Sequence, residues 1–294
     1  MEQGLKEISN LTTIQHLKLG PSVNGIKING ELFVKYLSPL CVGLITLQLI
    51  DVKTLTDELI GEILDQSLQL EQLSLIDMEF GTISVEAMSS NIPNLSILEL
   101  IGSDKLEDID VRCIASVCRH LTSLTFSRCK RLTDLGFVRC QNLKMLTLLN
   151  ISKLSKNCTG DILKYFTLCP LKSLTLEGIK LSAALQMSFL HYSTYLNLKY
   201  ISLRDCSSVS KEDVMYILHT FIGCKDLDMT GCNTSLETLK SLPHWNPFLT
   251  FHQFPTEYVG FKLSFDDQIR YVKFWNIIEG YYYLYYKYYY CYHY

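Results

Sequence analysis

The chain lacks most of the signatures that announce a chemistry. No two cysteines stand at C-x-x-C spacing, and no H-E-x-x-H, G-x-S-x-G or phosphate-cradling G-x-x-x-x-G-K occurs. Zinc ligation, a zincin helix, a nucleophile elbow and a P-loop are therefore without sequence support. The seven histidines (His16, His120, His191, His219, His244, His252 and His293) are scattered and make no metal pair. Catalysis, metal and cofactor are accordingly not expected. A long basic stripe is also missing, and the net charge is −3, so nucleic acid and anionic membrane are poor partners. No uninterrupted apolar run approaches the roughly 18 residues of a membrane helix. Met1 to Asn10 holds Glu2, Lys6 and Glu7 without an apolar core, so no secretory leader is read. The expectation is a soluble protein of the cytoplasm or nucleus.

What is present is a phrase that recurs about every 26 residues: apolar, two variable, apolar, one variable, apolar. It runs Ile14…Leu17…Leu19, Leu44…Leu47…Leu49, Leu70…Leu73…Leu75, Leu95…Leu98…Leu100 and Leu121…Leu124…Phe126. It continues as Leu143…Leu146…Leu148, Leu171…Leu174…Leu176, Leu198…Ile201…Leu203 and Cys224…Leu227…Met229. A period in this range signals a solenoid, and the phrase resembles that of a leucine-rich repeat. The expected fold class is α/β: a horseshoe of about nine units over residues 1–240, with parallel strands on the concave face and helices on the convex face.

Within a unit the phrase reads as a short strand whose fourth and sixth positions point inward. The second half of each unit carries helix signals. Thr56-Asp57-Glu58 places a capping hydroxyl and two acids ahead of Leu59, Ile60, Ile63 and Leu64. Ser210-Lys-Glu-Asp213 resembles a capping box. Glu107 to His120 and Asp161 to Cys169 repeat the scheme, Ser84 to Asn91 and Ser182 to Tyr192 follow it loosely, and residues 132–142 have room for one helical turn.

The eleven cysteines follow the repeat. Counted from the first apolar residue of each phrase, Cys129, Cys206 and Cys232 take position nine, which Val52, Met78, Ile151 and Ile179 fill elsewhere. Cys41, Cys118 and Cys140 lie three residues before a phrase, where Ile92 and Phe221 stand in other units. Cysteine thus exchanges with apolar residues, the behaviour of a small buried hydrophobe.

The fifth unit, Cys118-Arg-His-Leu121-Thr-Ser-Leu124-Thr-Phe126-Ser-Arg-Cys129-Lys-Arg-Leu132-Thr-Asp134, resembles the cysteine-containing leucine-rich repeat, C-x-x-L-x-x-L-x-L-x-x-C-x-x-L-T-D. Leu198 to Asp213 and Cys224 to Cys232 match in part, and Leu55-Thr-Asp57 supplies the same ending. That subtype is typical of F-box/leucine-rich-repeat proteins. The resemblance implies a substrate receptor of a Skp–cullin–F-box ubiquitin ligase, with a protein substrate on the concave face and ligase subunits as partners. No F-box module is visible ahead of Ile14. The chain reads either as a fragment or as an F-box-less relative that acts as a scaffold or regulator; a mis-predicted reading frame is the third option.

The concave face is the default binding surface, because variable side chains project there from a rigid sheet. Positions three, five and seven of the phrases supply the expected site: Gln48, Ile50, Ser74, Ile76, Glu99, Ile101, Thr125, Thr147, Leu149, Glu177, Arg204 and Asp228. Position seven carries Ile50, Ile76, Ile101 and Leu149, an apolar row where water favours polar groups. Either a partner protein covers it, or a neighbouring loop or the ladder's edge does.

Beyond Met229 the phrases stop. Residues 241–280 read as non-repeating, with an amphipathic helix over Asp266–Glu279 placed to cap the array. Tyr281 to Tyr294 is nearly all tyrosine, interrupted by Leu284, Lys287, Cys291 and His293. Tyrosine codons lie one base from those of Cys and His, so a drifted nucleotide repeat is the first reading and an adhesive or phosphorylated tail the second. In either case this tail is rich in β-formers and an aggregation hazard.

Overall fold

The computed structural model describes residues 6–7, 9–10, 13–20, 29–181, 198–206, 209, 213, 223–232 and 250–252. The expected helices over Ser182–Tyr192, after Ser210 and over Asp266–Glu279, and the tyrosine tail, lie outside the described residues.

Ten parallel strands form one open sheet in chain order: β1 (His16–Leu19), β2 (Thr46–Ile50), β3 (Gln72–Ile76), β4 (Ile97–Ile101), β5 (Ser123–Ser127), β6 (Leu148–Ser152), β7 (Ser173–Glu177), β8 (Tyr200–Ser202), β9 (Asp226–Asp228) and β10 (Thr250–His252). The last continues the ladder one strand beyond the final phrase. The fold is a leucine-rich-repeat solenoid with its strands on the concave face. The convex side begins with four α-helices: α1 (Gly30–Cys41), α2 (Asp57–Gln66), α3 (Thr82–Asn91) and α4 (Asp108–Val117). It then narrows to two 3₁₀ segments, Asp134–Asn142 and Gly160–Phe166. Helix α1, capped by Asn29, which accepts from Leu32 N at 3.1 Å, has no counterpart among the helix signals read above. The second 3₁₀ segment stands where the periodicity from Asp161 reads as helix.

Strand burial alternates as expected. In β2, Leu47 and Leu49 are buried while Thr46, Gln48 and Ile50 are half-buried, and β3 and β4 repeat the pattern. The inward leucines of all repeats merge into a single core.

The sixth unit is three residues out of the expected register. Strand β6 pairs Leu149 with Leu124 and Leu174, and Asn150 with Thr125 and Thr175. Its phrase is therefore Leu146…Leu149…Ile151, not Leu143…Leu146…Leu148. Both overlapping triplets satisfy the apolar pattern; only the second keeps steps of 25 residues to Leu124 and Leu174. Ladder hydrogen bonding rewards that even step, because parallel neighbours must stay level to share bonds. Leu149 is consequently a fully buried core residue, and Thr147 precedes the strand, where its N–H and hydroxyl both donate to Thr122 O.

Two further devices hold the repeats in register. Position eight of eight successive units takes a positive φ: Asp51, Asp77, Gly102, Arg128, Lys153, Gly178, Asp205 and Gly231. This left-handed residue turns the chain out of the strand toward the convex side. At Gly102 the absent Cβ matters, since a Cβ would lie 2.2 Å from Asp77 Oδ1. The Asp77 carboxylate crosses that gap to a two-pronged pair with Arg128, at 2.9 and 3.1 Å. The second device is the Thr-Asp ending. Asp57 is buried and accepts from Gly81 N, Ile83 N and Ser84 N of the next unit at 2.7–3.1 Å. Asp108 accepts from Thr133, and Asp134 from Thr159, through both backbone N–H and hydroxyl. In these three units the acid thus satisfies donors at the start of its neighbour's helical segment.

Nine of the ten described cysteines are buried. At position nine the thiol does more than fill space: Cys129, Cys206 and Cys232 donate to the position-six carbonyls of Leu100, Leu176 and Leu203 in the preceding unit.

Candidate protein-interaction face

The register lays the concave side chains in three rows that run across the strands. The central row, position five, is Lys18, Gln48, Ser74, Glu99, Thr125, Asn150, Thr175, Ser202 and Asp228. Ser74 donates to Glu99 at 2.7 Å, and Thr125 and Ser202 are buried. From Ser74 to Ser202 only Glu99 is large, so the row forms a polar floor.

One rim, position seven, begins with Ile50, Ile76 and Ile101, each directly opposite the next in the ladder and each half-buried. It continues with Ser127, Ser152 and Glu177. The other rim, position three, holds Ile97, Leu148 and Tyr200 on alternate strands, with Leu148 39% and Tyr200 45% exposed. Glu177 pairs with Lys153 at 2.8 Å.

The far end of the face is charged. Arg204 Nε lies 3.6 Å from Asp228 Oδ2, and Asp228 also accepts from Thr230. The Tyr200 hydroxyl bonds Asp226; burial, and then the Asp226 and Asp228 carboxylates, push its pKa up.

Gln48, Ser74, Glu99, Thr125 and Asp228 stand in the central row, and Ile50, Ile76, Ile101, Glu177 and Arg204 at the position-seven rim. Thr147 and Leu149 are not on the face, because the sixth unit is offset. In their place stand Asn150, Ser152 and Leu148, which a strict 25-residue step would have identified. Among the described residues no cluster of His, Cys, Asp or Glu suits a metal ion, and no helix is long and apolar enough to cross a membrane.

No protein-family profile matches the chain, and no curated protein matches it in sequence. Among solved structures it is similar to a chain in the crystal structure of the Rad7 and Elc1 complex in yeast, at 18% identity and a TM-score of 0.56, over 85% of this chain and 70% of that one. It is also similar to an internalin, inlF from Listeria monocytogenes, at 18% identity and a TM-score of 0.55, over 86% of this chain and 67% of that one. At such identities the likeness is one of fold, the leucine-rich-repeat solenoid.

Proposed function

We propose that this protein is an interaction module that holds a partner protein on its concave face, and that the partner is a substrate presented to a Skp–cullin–F-box ubiquitin ligase. The observation that carries the interaction reading is the Ile50–Ile76–Ile101 row. Three β-branched side chains stand in register on one rim, each partly open to water. Fully burying such a side chain is worth about 1.5–3 kcal/mol, and the part that folding leaves exposed is available to a partner. The floor of Ser74, Thr125 and Asn150 beside it leaves room for a partner's own side chains. The ligase reading rests on the repeat subtype of the fifth unit, and the likeness to a chain of a two-protein complex is consistent with it.

The test is affinity capture by the full chain, scored for the ligase adaptor and cullin, in parallel with an Ile76→Asp, Ile101→Asp variant. The expected result is capture by the parent, loss in the variant, and melting temperatures within about 2 °C of each other, since neither site is fully buried. Equal capture by both proteins would overturn the concave-face assignment. A captured partner without adaptor or cullin would leave an interaction module and remove the ligase.

A further inference from the structure

The α-helical repeats carry a charge pattern of which the concave-face reading uses only Glu99. Between Lys53 and Lys105 the chain has ten acidic residues and no lysine, arginine or histidine. Elsewhere it has 20 acids against 27 bases. Several of the ten are engaged: Asp57 caps α3, while Asp77, Glu79 and Asp104 pair with Arg128, Lys105 and Lys130. Glu58, Glu62 and Asp65 on α2 and Glu86 on α3 are exposed and, among the described residues, form no ion pair, although Asp65 accepts from Asn91 Nδ2 at 2.8 Å and Glu58 bonds Thr56.

These four carboxylates line one groove between α2 and α3. Glu58, Glu62 and Asp65 follow one another at i, i+4 and i+7, a single stripe of like charge that weakens α2. The floor includes Gly61 and Ile83. A Cβ on Gly61 would lie 3.1 Å from Ile83 Cγ2, so glycine keeps the floor open at that point.

A second, apolar feature leads out of the groove. Ile83, Ile109 and Leu135 are the second residues of three consecutive convex segments, and they are 44, 53 and 61% exposed. Large aliphatic groups left in water in three successive repeats form a row, not a scatter, and neighbouring helices spaced about 10 Å apart make it about 20 Å long.

We propose that this groove and row form a second docking surface, which takes a basic amphipathic segment of a partner protein: lysines or arginines between α2 and α3, aliphatic side chains on Ile83, Ile109 and Leu135. Charge complementarity selects the occupant. A segment rich in acid is repelled by four carboxylates that no cation among the described residues neutralises by an ion pair, and nucleic acid or an anionic membrane is repelled in the same way.

The test is fluorescence anisotropy of a labelled 14-residue Lys/Leu amphipathic peptide with the full chain, with a Glu/Leu peptide as control. Three double variants are compared: Glu62→Lys with Glu86→Lys in the groove, Ile83→Ser with Ile109→Ser on the row, and Glu71→Lys with Asp104→Lys, an equal charge change at exposed acids that do not line the groove. The expected result is binding of the Lys/Leu peptide alone, weakened tenfold or more by the groove and row pairs and less than twofold by the distant pair. Equal weakening by both charge pairs would show attraction to net charge only and overturn the proposal, as would no binding. Self-association of the parent chain in light scattering, abolished by the groove pair, would assign the surface to a second copy and overturn it too. An Ile76→Asp, Ile101→Asp chain should bind the peptide as the parent does, which separates this surface from the concave one.

Discussion

Residues 44–117 and 118–177 are built on the same strand ladder and differ in almost everything attached to it. The first stretch backs its strands with α-helices, lines its concave rim with Ile50, Ile76 and Ile101, and has no cysteine before Cys113. The second backs them with 3₁₀ segments, puts Ser127 and Ser152 at the same rim, and buries Cys118, Cys129, Cys140, Cys158 and Cys169. Charge divides them as well: residues 44–117 hold fourteen acids against three lysines and arginines, whereas residues 118–177 hold three acids against ten.

Width explains part of the contrast. A 3₁₀ segment is more slender than an α-helix and sends fewer side chains inward. Larger groups then fill the space behind the sheet: Phe126, Phe137 and Phe166 are fully buried, with Phe137 edge-on to Phe126 at 5.8 Å and tilted against Phe166 at 6.0 Å between ring centroids. The α-helical repeats bury single rings, Phe33 and Phe80, and otherwise use mainly leucine, isoleucine and methionine for the same purpose. The comparison teaches that the ladder sets the repeat, while the convex segment sets what the core must contain.

The largest expected effect uses the thiols. Burial raises Cys129, Cys140, Cys158 and Cys169 above their ordinary 9.0, Cys169 to about 12. Above about pH 9 the unfolded chain loses thiol protons that the native state keeps, so stability present below that pH is lost as pH rises toward the folded values. Each thiol costs about 1.4 kcal/mol per pH unit in that window. Hydrogen exchange between pH 8 and 10 should therefore show residues 118–177 opening before residues 44–112; simultaneous opening would break the contrast.

Phe137→Ala should cost about 3–5 kcal/mol in denaturant melts, because the ring bridges two others and a 3₁₀ segment has little capacity to collapse onto the hole. The register of the boundary unit is tested next. Leu149→Ala should cost about 2–5 kcal/mol, whereas Leu148→Ala, one residue away and 39% exposed, should cost under about 0.5 kcal/mol. Reversed costs, with Leu148→Ala the more damaging, would argue for the phrase at Leu143. The smallest effect compares the caps. Asp57→Asn, where one carboxylate serves three backbone N–H groups and the Ser84 hydroxyl, should cost about 2–3 kcal/mol. Asp134→Asn, with one N–H, one hydroxyl and the Cys158 thiol, should cost about 1 kcal/mol. Thermal melts that rank them in reverse would show that the α-helical stretch does not depend more on its caps.

Much of the architecture was legible because a solenoid writes its core periodically. Leucines at positions four and six announce strands, and Thr56-Asp57 announces α2, whose cap accepts from Leu59 N. The sixth unit was misread because Leu143, Leu146 and Leu149 are all fully buried, so hydrophobicity alone cannot choose between triplets three residues apart. Asp57 was read as an acid of its own helix; that it caps the next one is a contact across 24 to 27 residues, invisible to local pattern. The convex groove was missed for a similar reason: Glu62 and Glu86 converge only after two helices pack.

The sequence by itself determined the repeat, its strand phrase and its buried faces, since a period of alternating burial is a property of consecutive residues. Only the tertiary structure decided the register of the sixth unit, the exchange of α for 3₁₀ segments on the convex side, and which polar groups face one another. Those depend on level hydrogen bonding between strands and on the volume left between neighbouring repeats, and neither quantity exists until the repeats are stacked.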